Sequence, residues 1–74
     1  MAFTDTEYRL SHGKAPRGFG LWFFEVRKID HQTGISKVVW KDSFSGTLSE
    51  AKKKAIKAAK AAGVDEYARI IICP

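Results

Sequence analysis

Seventy-four residues with 13 Lys and Arg against 8 Asp and Glu make one small domain of net charge +5, a size that buries only about 60% of its unfolded surface. At 45% hydrophobic and 28% charged, the composition excludes disorder throughout. The single cysteine excludes an internal disulfide, and no apolar run nears the roughly 18 residues of a membrane span.

These bounds predict a cytoplasmic protein with no membrane association, folded as one domain over 1–74 and complete from Met1. The basic balance, with a pI of 9.6, points to a nucleic acid or an acidic protein surface as partner. Residues 1–16 are weakly patterned, and a loosely ordered segment is expected there. Within it, Tyr8 and Leu10 alternate with Glu7 and Arg9 and predict a short extended piece over 8–11, which Ser11 to Pro16 then breaks.

The densest apolar run follows, and it predicts a strand over about 20–29. Period 2 places Trp22, Phe24 and Val26 on one face and Leu21, Phe23, Glu25 and Arg27 on the other. Asp30 to Gly34 reads as a turn, because Asp starts turns and Gly supplies a positive φ. A second strand is expected over about 35–44, with Val38, Trp40 and Phe44 on one face and Lys37, Val39 and Lys41 on the other. Two strands joined by so short a turn pair as an antiparallel hairpin.

Ser45 and Gly46 are expected to end that strand. Thr47-Leu48-Ser49-Glu50 then has the form of a capping box, opening a helix that Gly63 closes. Leu48, Ala51, Ala55, Ala59 and Ala62 form its apolar stripe, and Lys53, Lys54, Lys57 and Lys60 its opposite side. A last strand is expected over Tyr67 to Cys73, with Ile70 and Ile72 towards the helix. The fold class is therefore α+β, ββαβ: a three-stranded, mainly antiparallel sheet of order 2-1-3 with one helix packed on one face. The other face stays open unless the N-terminal segment crosses it.

That open face should carry Phe23, Val39 and Ile71, bordered by Arg27, Lys37, Lys41 and Arg69, with Arg17 close by. Aromatic groups give bases a stacking surface, and Lys and Arg contact phosphates, so the pattern suits a nucleic acid. Lys53, Lys54, Lys57 and Lys60 form a secondary basic patch. Catalysis finds no support. His12 and His31 lie far apart in loops, no Cys/His spacing suits a metal, Gly18-x-Gly20 lacks the third glycine of a dinucleotide loop, and no cofactor is implied.

Arg17-Gly18-Phe19-Gly20-Leu21-Trp22-Phe23-Phe24 resembles the first ribonucleoprotein motif of RNA-recognition domains, matching at Arg17, Gly18, Phe19, Gly20 and Phe24 but not at Leu21 or Trp22. The resemblance implies strand aromatics that stack on bases. It stops at eight residues, since a hairpin follows where that family has a helix. Over about residues 20–62, Trp22, Asp30, Thr33-Gly34, Phe44, Thr47 and Glu50-Ala51 are similar in kind and order to the arm-type DNA-binding domain of tyrosine-family integrases. This second resemblance implies a sheet laid in the major groove, with Arg27, Lys37 and Lys41 facing DNA. The helix start at Thr47 and the late strand into Cys73-Pro74 resemble small phage proteins such as the inhibitor of bacterial RNA polymerase and anti-CRISPR proteins. That third resemblance implies a phage-encoded inhibitor of a host protein or nucleoprotein complex. The expected function is thus a non-enzymatic binding module for nucleic acid, with the inhibitor as the alternative.

Overall fold

A computed structural model describes residues 1–74. In chain order it comprises β1 (Ala2–Thr4), α1 (Thr6–His12), β2 (Phe19–Ile29), β3 (Ser36–Thr47), α2 (Leu48–Ala61) and β4 (Arg69–Ile72). The four strands form one sheet of order β1-β4-β2-β3. β2 pairs antiparallel with both β3 and β4, and β1 pairs parallel with β4. The fold is α+β, and β2 is interior, as its apolar run predicts.

Local chemistry places the hairpin and the long helix. Asp30 accepts the Gln32 N–H on Oδ1 and the Gly34 N–H on its carbonyl, and Gly34 takes φ +71°. At the start of α2, the Glu50 N–H donates to Thr47 Oγ1 at 3.3 Å. At its end, Gly63 turns left-handed at φ +84° while the Val64 and Gly63 N–H groups return to the carbonyls of Ala59 and Lys60. That double return is the Schellman closure, and Val64 packs on the core beside it.

The core lies between α2 and one sheet face. Ala51, Ala55 and Ala59 are fully buried against Trp22, Phe24, Val26, Ile70 and Ile72. Alanine at every fourth position lets the helix axis come close, so the large side chains of β2 and β4 fill the layer beneath it. Each fully buried Phe or Ile contributes about 1.5–3 kcal/mol.

Three expectations are corrected. The N-terminal segment carries regular structure: β1 adds a fourth strand to the three expected, with Phe3 set edge-on to Phe24 at 5.8 Å between ring centroids. Residues 8–11 are helical rather than extended. Leu10 is 81% exposed, so its alternation with Tyr8 reports no buried face, and Gly13 closes the helix at φ +72°. Finally, β3 does not stop at Ser45-Gly46 but runs on to Thr47, because Gly46 faces Gly20 in the ladder and no side chain interferes.

A fourth difference bears on the site. The β2–β3 register jumps from Val26↔Trp40 to Arg27↔Val38, leaving Val39 as an extra residue. This β-bulge inverts the alternation of β3 on its far side. Lys41 stays opposite Glu25, whereas Lys37 stands opposite Lys28, on the parity of the helix-covered face.

Candidate functional site

The face of β2 turned away from α2 presents a row of uncovered apolar side chains. Phe19 is 81% exposed, Leu21 58% and Phe23 49%. Their partners across the ladder are Thr47, Ser45 and Ser43, so each large apolar group stands opposite a small hydroxyl residue. The face changes character further along β2. Arg27 donates from Nη1 and Nη2 to the two carboxylate oxygens of Glu7, at 2.8 and 3.0 Å, and also pairs with Glu25. The hydrogen bonds to Glu7 and then Glu25 hold the guanidinium pKa above its ordinary value.

The same contacts position α1. Glu7 reaches the open face to grip Arg27, while its neighbour Tyr8 tilts onto Trp22, a residue of the helix-covered face, at 5.8 Å. The N-terminal segment therefore meets the charged part of the open face, and Tyr8 and His12 flank the Phe19–Leu21–Phe23 row without covering it.

Phe23 separates two shallow hollows. One, of about 430 Å³, is lined by Phe23, Glu25, Lys41, Ser43, Cys73 and Pro74 among others. The other, of about 310 Å³, includes Tyr8, His12, Arg17, Phe19, Leu21 and Phe23 in its lining. Arg17 thus marks one end of the apolar row and Lys41 the other. A larger hollow, about 500 Å³, lies elsewhere, between the bulge and the α2–β4 loop, where Val26, Val39, Val64 and Tyr67 line it. Arg27, Lys28 and Asp65 are the charged residues of its lining, while Lys41 shares its hollow with Glu25 and Asp42.

The expected site residues therefore divide. Arg17, Phe23 and Lys41 lie along one face, with Phe23 between the two cations. Arg69 shares the sheet side of Ile71 but sits at the start of β4, beside β1. Arg27 is on the open face but is held by two carboxylates, and Lys37 leaves that face through the bulge. Val39 lines the remote hollow. Phe19 and Leu21 also lie exposed on this face, although sequence reasoning left them out of the candidate site. Their parity with Phe23 is the signal that includes them once the strand begins at Phe19.

Lys53, Lys57 and Lys60 project from α2 on the opposite side of the molecule, while Lys54 donates to the Ser45 carbonyl at 3.4 Å. All three ion pairs in the structure use arginine, so the nine lysines are free of acidic partners. No three His, Cys, Asp or Glu side chains gather as a metal site would require. Cys73 is part-buried. Desolvation, then the Glu25 carboxylate, pushes its thiol pKa above 9.0, which disfavours the nucleophilic thiolate. No helix is long and apolar enough to cross a membrane.

The fold and this face define a small α+β domain with a helix-backed sheet and one uncovered aromatic face. No protein-family model, curated protein or solved structure matches the chain.

Proposed function

We propose that this protein is a non-enzymatic nucleic-acid-binding module that docks the open face of its sheet. The observation carrying this reading is the uncovered row Phe19–Leu21–Phe23 with Arg17 at one end and Lys41 at the other. In this reading Phe23 and Phe19 stack on bases, and Arg17 and Lys41 contact phosphates. Arg27 serves differently from a phosphate ligand: it offsets part of the charge of Glu7 and Glu25, which would otherwise repel a polyanion more strongly. Arg69 and the α2 lysines add long-range attraction, screened over about 10 Å at 0.1 M salt.

Titration of the protein into labelled oligonucleotides, followed by fluorescence anisotropy, tests the reading. Binding should be tightest at 50 mM salt and weaken by roughly an order of magnitude towards 200 mM as phosphate contacts release counterions. Absence of binding to any DNA or RNA at low salt would sink it.

The same row favours a second reading. Three large, exposed apolar side chains beside an arginine held by carboxylates also suit a protein groove, as a phage-encoded inhibitor of RNA polymerase or a CRISPR effector would require. Retention of such a purified complex on immobilised protein after nuclease treatment, lost in Phe23→Ala, distinguishes this reading from the first.

A further inference from the structure

We infer that the open face takes single-stranded nucleic acid, three unstacked nucleotides at a time, and discriminates against duplex. This inference rests on the nucleic-acid reading above and narrows its ligand.

The spacing of the row is the first support. Phe19, Leu21 and Phe23 lie two residues apart on an unbroken stretch of β2. At about 3.3 Å per residue they repeat every ~6.6 Å. Bases stacked in a duplex repeat every 3.4 Å or so along each strand. One apolar side chain per base therefore requires bases drawn apart to about twice the stacked distance.

The chemistry of the row agrees. A duplex buries its base faces and offers edges, with the thymine methyl as its main apolar group in the major groove. Phe19 and Phe23 would find no flat surface there, whereas unstacked bases expose the π-faces that aromatic groups pack against. Across the ladder, Thr47, Ser45 and Ser43 keep the adjacent lane low. Phe23 stands between the hollows of about 430 and 310 Å³, which gives a splayed base room on either side. One cation stands at each end of the row, Arg17 at the first and Lys41, beside Glu25 and Asp42, at the second, as a backbone laid parallel to β2 would need.

Anisotropy with a labelled 12-nucleotide mixed-sequence single strand, as DNA and as RNA, and with the same sequence as duplex, tests the inference at 50 mM salt. Either single strand should bind tenfold or more tighter than its duplex. A smaller preference, or duplex binding as tight, overturns the inference and leaves the broader reading standing. No binding to any of the probes overturns the reading itself. Phe19→Ala and Phe23→Ala, both at exposed positions, should each lose roughly 5- to 150-fold in single-strand affinity, the equivalent of about 1–3 kcal/mol per stacked base. Duplex affinity should not change. Unchanged single-strand affinity in both variants overturns the stacking row. With two phosphates engaged, the slope of log K against log salt should be about −1.4, and Arg17→Gln or Lys41→Gln should reduce its magnitude by about 0.7. A slope untouched by both substitutions overturns the assigned ends.

Discussion

Gly46 holds a position that no other residue fits without loss. Its φ is +126°, the Trp22 indole N–H donates to its carbonyl at 3.2 Å, and an added Cβ would meet Glu50 Oε2 at 2.7 Å. Gly46→Ala should therefore destabilise the protein by more than about 1 kcal/mol in urea melts. Glu50→Ala in the same chain should recover only the part due to the collision, since the positive φ remains. Cys73 makes a different residue-scale demand. Its raised pKa means that the unfolded chain loses the thiol proton first. Stability from this group is intact below about pH 9.0 and falls as pH rises past it. Thermal melts at pH 8 and pH 10 should show a larger drop in Tm for the wild type than for Cys73→Ala, the lysines and tyrosines being common to both.

Among the elements, α1 is the one held by the fewest contacts: it buries no residue and depends on Tyr8 against Trp22 and Glu7 on Arg27. Arg27→Gln should release it, seen as faster amide exchange over 6–12. The global Tm should scarcely move, because exposed ion pairs contribute little to stability. The same variant uncovers two carboxylates on the open face, so nucleic-acid affinity should fall, and adding Glu7→Gln should restore part of it. α2 behaves oppositely. Ala55→Leu forces three extra heavy atoms into a fully buried position against the core and should cost about 1–3 kcal/mol in urea melts.

The elements legible in the sequence are those whose signals are local: the Asp30–Gly34 turn, the Thr47–Glu50 cap and the Gly63 closure. β1 and α1 are not legible, because their order comes from Phe3 on Phe24 and Tyr8 on Trp22, contacts far apart in the chain. Of the candidate site, Phe23, Arg17 and Lys41 follow from period 2 and flanking charge. The loss of Arg27 to Glu7 and of Lys37 to the bulge depends on tertiary geometry, which no periodicity carries.

At the scale of the whole molecule, two unlike surfaces are kept apart by one layer of core. The sheet face is apolar with a cation at each end; the outer face of α2 carries Lys53, Lys57 and Lys60, none of them paired. If the sheet face is the specific site, changing those three lysines to glutamine should slow association at low salt, measured by stopped flow, with little change in the dissociation rate. Substitution of Phe23 should do the reverse.

The bulge at Val39 has a consequence for how the hairpin tolerates change in length. Trp40 already stands opposite Val26 and Val38 opposite Arg27, so a chain lacking Val39 would keep every remaining pair in place, from Ile29↔Ser36 to Phe19↔Thr47. Most single deletions in a strand turn half of its side chains inside out. Here one residue can be removed with the turn, the lysines and the apolar row each staying on its present side. β3 is thus a strand of 12 residues that makes the connections of 11.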